Sequence, residues 1–250
     1  MAVLDASARG DAIGGGRALW VDVARGGAIV AMVIYHFSFD LMYFGLVDWP
    51  VAGGAGWRAF AAAIASTFLF LVGVSLVYAH EGGIRWRPFA RRLAILVAAA
   101  AVVTVGTVYA IPAPIYFGIL HAIAAFSVLA LAFLRAPVWL TLMAAALVFA
   151  APLVATSPVF DAPWFYPLGL AAERPYTFDY EPVFPWFAVT LLGVATAKLL
   201  PRGQWQPAPA ALRWLTFAGR HSLIIYLLHQ PVLFALFMGW AALGSPGPAG

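Results

Sequence analysis

Residues 93–134, LAILVAAAAVVTVGTVYAIPAPIYFGILHAIAAFSVLALAFL, contain no Asp, Glu, Lys or Arg. A helix needs about 20 apolar residues to cross the hydrocarbon of a bilayer, so this run is long enough for two crossings. Ile111-Pro112-Ala113-Pro114 divides it, because proline removes a backbone donor and clashes with the preceding turn. Two helices joined by a tight turn are therefore expected.

Working outward, five further apolar runs approach the same length: Ala18–Tyr43, Ala59–Ala79, Ala136–Ala155, Pro182–Leu200 and Gly219–Leu243. The expected fold is an all-α, polytopic bundle of about seven transmembrane helices. Its expected limits are 18–243 as one transmembrane domain, with a polar, Gly-rich tail over 1–17 and a frayed Gly/Pro tail over 244–250. Residues His36 and Asp40 extend the first run beyond a signal-peptide core, which favours a retained helix over a cleaved leader.

Composition agrees. Hydrophobic residues make up 64% of the 250 and charged residues 10%, against about 25% charged in an ordinary soluble domain. Such a chain cannot cover a globular surface in water. Cysteine is absent, which excludes disulfides, thiolate metal sites and a Cys nucleophile. No spacing of side chains suggests a metal site, and no metal is expected.

The net charge of +4 reads as topology rather than nucleic-acid binding, because the basic residues fall at the ends of apolar runs. With the N-terminus in the cytoplasm, Arg9, Arg17, Arg25, Arg85, Arg87, Arg91, Arg92, Arg135, Lys198, Arg202, Arg213 and Arg220 fall inside, and only Arg58 and Arg174 outside. That bias predicts a cytoplasmic N-terminus and a periplasmic C-terminus. The main outer segment, Thr156–Glu181, is too long and too aromatic for a mere connector.

Ionisable residues inside the spans are costly and therefore point to function. At 100° per residue, Asp22, Arg25, His36 and Asp40 form one stripe on the first helix, with Arg25 and His36 about 16 Å apart along the axis. His121 lies at a similar depth in the fourth span. In the seventh, Ser222, Tyr226 and His229 share a face, and Pro231 frees the carbonyl of Leu227. Three histidines on three helices suggest a shared polar cavity. The segment Glu81–Arg92, read as a cytoplasmic loop, carries Arg85, Arg87, Arg91 and Arg92. These suit lipid headgroups or, collectively, the phosphates of a ligand.

Several stretches carry a resemblance: LWVDVARG at 19–26 with MVIYHF at 32–37, TFLFLVGVS at 67–75, FGILH at 117–121, DYEPVFPWF at 179–187 and GRHSLIIYLLHQP at 219–231. They resemble bacterial relatives of the heparan-α-glucosaminide N-acetyltransferase catalytic domain, within the transmembrane acyltransferases. The resemblance implies a multi-pass protein of the bacterial inner membrane that carries an acetyl or other acyl group from cytoplasmic acyl-CoA (acetyl-CoA above all) to a sugar-like acceptor on the periplasmic side. Arg25 and His36, eleven apart, match the functional pair of the O-antigen acetylase branch. One departure stands out: Leu46 occupies the place of the loop histidine proposed as catalytic in the lysosomal enzyme.

The residue inventory suits that chemistry. His36 is the expected base, oriented by Asp40 and served by His121. Arg25, Arg85, Arg87, Arg91, Arg92 and His229 are expected at the acyl-CoA, and Asp179, Tyr180, Glu181 and Trp186 at a sugar. Two rivals remain open: a non-catalytic membrane subunit or scaffold, and a haem-binding or proton-conducting protein. Lipid is an expected partner and nucleic acid is not; a homo-oligomer or a larger membrane complex is left open.

Overall fold

The computed structural model describes residues 19–110, 113–200 and 209–243. The tails expected over 1–17 and 244–250 lie outside these residues, as do Arg9, Arg17, Arg202 and Ile111-Pro112 of the expected turn. Among the described residues the chain is helical, without named strands. The long helices are α1 (Leu19–Tyr43), α2 (Ala55–Ala79), α3 (Trp86–Ala110), α4 (Ile119–Leu129, continued by a 3-10 turn over Ala130–Phe133), α5 (Val138–Ala155) and α6 (Val183–Leu199). A short helix, α7 (Arg213–Arg220), precedes the last one, α8 (Ser222–Ala242).

Five of these, α1, α2, α3, α5 and α8, are long and apolar enough to cross a membrane, while Ile119–Phe133 and Val183–Leu199 are apolar but shorter. All the apolar runs of the sequence are thus helices. Two boundaries differ from expectation. Helix α3 begins at Trp86, so Arg87, Arg91 and Arg92 stand on its first two turns rather than in a loop. Pro88 does not prevent this, because the first-turn amide it lacks has no partner inside a helix anyway. The last span is also preceded by the separate helix α7, which the sequence reading merged with the connecting loop and the start of that span.

The core lies between α1, α2, α4 and α6, where Ile29, Met32, Leu69, Phe126 and Leu191 are buried together. Helices α2 and α6 touch backbone to backbone. A Cβ on Gly73 would overlap the carbonyl of Thr190, and one on Gly193 that of Phe70. Thr190 Oγ1 donates to Leu69 O across the same contact at 3.1 Å. Close backbone approach of this kind is how helices associate where lipid is as apolar as leucine. At one end of α6, Lys198 Nζ donates to Phe133 O at 2.5 Å and Ala136 O at 2.6 Å. It thereby places a cation on two carbonyls of the turn that joins α4 to α5.

Helix α7 crosses α1 with the same closeness, Gly26 against the Leu215 carbonyl and Gly219 against that of Asp22. It leaves Trp214 and Phe217 exposed, as befits an amphipathic helix lying at a membrane surface. Helix α8 has no fully buried residue and closes one flank of the bundle.

The outer segment is built, as its composition led one to expect. Ser157 N donates to Leu170 O at 3.0 Å, and Glu181 N to Phe117 O at 3.1 Å. Asp161 Oδ1 accepts from Ala172 N at 2.7 Å. The Tyr180 hydroxyl donates to Tyr166 O at 2.8 Å, with the Arg174 guanidinium 5.8 Å from the Tyr180 ring centre.

Candidate active site

The polar stripe on α1 faces α7 and α8, and nearly every residue of it has a partner there. At the arginine-rich end Asp22, 1% exposed, holds Arg25 at 3.3 Å and Arg220 at 3.2 Å. Arg25 also donates to Ser75 Oγ of α2 at 2.8 Å. Arg25 therefore belongs to an ion cluster joining α1, α2 and α7, about 16 Å along the axis from His36.

Further along α1, His36 meets His229 of α8, with ring centroids 4.6 Å apart and planes at 78°. One turn on, Asp40 is buried and accepts from Gln230 Nε2 at 2.8 Å. The expected bond from Asp40 to His36 is not the one recorded. His36 Nδ1 instead lies 2.9 Å from Met32 O, and His229 Nδ1 lies 2.6 Å from Tyr226 O. A carbonyl only accepts, so in both rings Nδ1 carries the hydrogen and Nε2 the lone pair. The backbone thus fixes both tautomers, and Asp40 acts on His36 through its charge.

His121 comes from the opposite wall with the other tautomer. Thr104 Oγ1 donates to Ile115 O at 2.7 Å, so it accepts from His121 Nε2 at 3.2 Å. The lone pair of His121 is then on Nδ1. Asp179 stands at the start of α4, the helix that carries His121. Its Oδ2 accepts from Ile119 N at 2.9 Å. An anion at the N-terminus of α4 matches the helix dipole and replaces the side-chain cap that Gly118 lacks. Burial, and then the neighbouring Asp179 carboxylate, push Glu181 well above the usual carboxyl range.

Five side-chain atoms of this region are buried without a hydrogen-bond partner in the protein: Asp40 Oδ2, His121 Nδ1, Glu181 Oε2, His229 Nε2 and Gln230 Oε1. Buried polar atoms are ordinarily satisfied. Five such atoms, contributed by α1, α4, α8 and the segment before α6, leave hydrogen-bonding capacity that the protein itself does not meet. The Tyr180 hydroxyl is bonded to Tyr166 O, and Trp186 packs against the core.

At the arginine-rich end a cavity of about 120 Å³ opens between α2, α3 and α4. It is lined by Leu76, Ala79, His80, Arg85, Pro88, Phe89, Arg92, Leu93, Leu96 and Ser127. Arg85 and Arg92 are thus at the cavity, whereas Arg87 and Arg91 are exposed outside its lining. His80 lies half-buried against Phe89. Leu93 and Leu96 also pack in the cluster that contains Leu223, Tyr226 and Leu227 of α8. One apolar wall therefore runs from the cavity to the turn that carries His229. An open cleft of about 460 Å³ adjoins the same loop between Trp86 and Arg135.

Gln230 and Thr104 were not among the expected site residues, and Arg220 was read only as a sign of topology. Gln230 was within reach of the sequence reading, since it neighbours His229 as Asp40 neighbours His36. Nothing local signals the other two.

Fold and site define a multi-pass helical membrane protein with imidazoles and carboxylates gathered inside the bundle. A family model described as heparan-alpha-glucosaminide N-acetyltransferase, catalytic, matches residues 17–231. The chain belongs to that family, which implies a membrane acetyltransferase. No curated protein and no solved structure matches it.

Proposed function

We propose that the protein transfers an acetyl or other acyl group from acyl-CoA, arriving at the cytoplasmic, arginine-rich end, to a sugar-like hydroxyl or amine at the periplasmic side of the inner membrane. The carrying observation is the meeting of His36 and His229 beside five unsatisfied buried polar atoms, at the far end of the apolar wall that leaves the arginine-lined cavity. The cavity suits the slim acyl end of the donor, with phosphates on Arg85 and Arg92; the cleft between Trp86 and Arg135 offers a ring and a guanidinium to the nucleotide.

In this reading His36 Nε2 takes the proton of the acceptor as it attacks the thioester carbonyl, and Asp40 and Asp179 stabilise the imidazolium that forms. Burial and the neighbouring Asp179 carboxylate favour the protonated form of Glu181, the form that could donate a hydrogen bond to a sugar hydroxyl or to the oxyanion. Leu46, 41% exposed just after α1, cannot transfer a proton, and it is the feature that favours a non-catalytic subunit instead.

Vesicles of both orientations decide between the two. Labelled acetyl-CoA supplied only to the face carrying Arg85 should acetylate a hexosamine enclosed on the other side. No transfer from either face to any sugar or amine offered would leave the scaffold reading standing.

A further inference from the structure

Acyl transfer needs one base, yet two imidazoles meet in the site. Resting on the transferase reading above, we propose that His229 is the group that protonates the departing thiolate, while His36 deprotonates the acceptor. The two rings face opposite supplies. His36 is followed one turn later by Asp40, and Phe39 between them meets Phe178 of the outer segment with ring centroids 6.0 Å apart; that segment is where an acceptor enters. His229 follows Tyr226 and Leu227, which pack with Leu96 on the apolar wall leading from the arginine-lined cavity. A sulfur arriving along that wall meets α8 first.

The tautomers fit this division. Both Nδ1–H groups are spent on backbone carbonyls, at 2.9 Å for His36 and 2.6 Å for His229. Proton traffic is therefore confined to the two Nε2 atoms, and His229 Nε2 is buried with no protein partner. The ring centroids lie 4.6 Å apart, and in this division of roles one proton passes between the two imidazoles.

The steps balance with a single travelling proton. The acceptor O–H or N–H bond breaks and its proton goes to His36 Nε2. The acceptor atom bonds to the thioester carbonyl carbon. The proton passes from His36 to His229; the C–S bond breaks with its electron pair on sulfur, and His229 delivers the proton there. Both imidazoles end neutral, with the free thiol and the acylated acceptor as products.

A donor whose thiolate leaves without a proton separates the two roles. We would compare acetyl-CoA with 4-nitrothiophenyl acetate in the full-length protein. The variants are His229→Asn and His36→Asn, whose amides retain the donor to Tyr226 O or Met32 O but lack Nε2. His229→Asn is expected to lose about 10²-fold or more in rate with acetyl-CoA and to recover to within about tenfold of the wild type with the aryl thioester. His36→Asn should be slow with both. Equal losses of His229→Asn with the two donors, or none with acetyl-CoA, would overturn the assignment while leaving the transferase reading intact. A wild type inactive with both donors would overturn both. Should His229→Asn not fold, as judged by lost CoA binding, the wild type alone decides. Heavy water should slow transfer from acetyl-CoA more than transfer from the aryl thioester, and equal isotope effects contradict the proposal.

Discussion

His36 and His229, on the first and last long helices of the bundle, meet with ring centroids 4.6 Å apart and planes at 78°. At the other end of the same seam Asp22 binds Arg220, so the contact between α1 and the α7–α8 segment is anchored by charge at one end. The imidazoles, with the Asp40–Gln230 bond beyond them, occupy its middle. Anchoring α7 to α1 fixes where α8 begins, and with it the depth at which His229 arrives.

That anchor can be measured. Asp22→Ala removes a buried anion and leaves the largely buried Arg25 without its carboxylate, and is expected to cost about 3 kcal/mol. Arg220→Ala should cost about 1 kcal/mol or less, because its side chain is 52% exposed. Thermal unfolding in detergent gives the order directly; a larger loss for Arg220→Ala would contradict it.

Arg85 and Arg92 line the cavity and Arg91 does not. The double variant Arg85→Ala, Arg92→Ala is expected to raise the Kd for CoA by about tenfold or more. The wild-type affinity should fall as salt is added. Arg91→Ala should change little. A double variant that binds CoA as the wild type does reduces these residues to topology.

Glu181 makes stability depend on pH. Burial and the Asp179 carboxylate raise it well above 4.5, so the folded chain holds a proton there that the unfolded chain releases earlier. The stability this proton confers is complete below about pH 4.5 and is lost as pH rises through the elevated value in the folded state. Glu181→Gln, which resembles the protonated acid, should flatten the decline in Tm over that window. Parallel curves for the two proteins would refute the assignment.

Orientation has a simple check, because the chain has no cysteine. Cysteines placed at Arg85 and at Asp161 should label oppositely with an impermeant thiol reagent on intact cells, Asp161 from outside and Arg85 only after permeabilisation. Equal labelling from outside excludes the cytoplasmic N-terminus.

Much of the architecture was legible in the sequence because hydropathy is a local sum. Every apolar run became a helix, and the rotation of 100° per residue correctly put Asp22, His36 and Asp40 on one side of α1. What pairs with that side was not legible, since Arg220, His229 and Gln230 lie nearly two hundred residues away and only packing brings them near. The start of α3 was missed because Arg87, Arg91 and Arg92 lower the local hydropathy without hindering helix formation. Helix α7 was missed because eight residues with mixed polarity give no run to detect. Asp179 shows the limit most clearly. An acidic residue in an aromatic loop reads as a sugar ligand, yet its carboxylate also caps α4 sixty residues earlier in the chain.

The most direct test of the central claim is acetyl transfer from labelled acetyl-CoA by the purified protein in lipid, wild type beside His36→Asn, with folded yield and CoA binding measured on the same samples. The expected result is transfer by the wild type and a loss of about 10²–10⁴ in rate for a variant that still folds and binds CoA. A folded His36→Asn protein that transfers acetyl at the wild-type rate would contradict the assignment of His36 as the base.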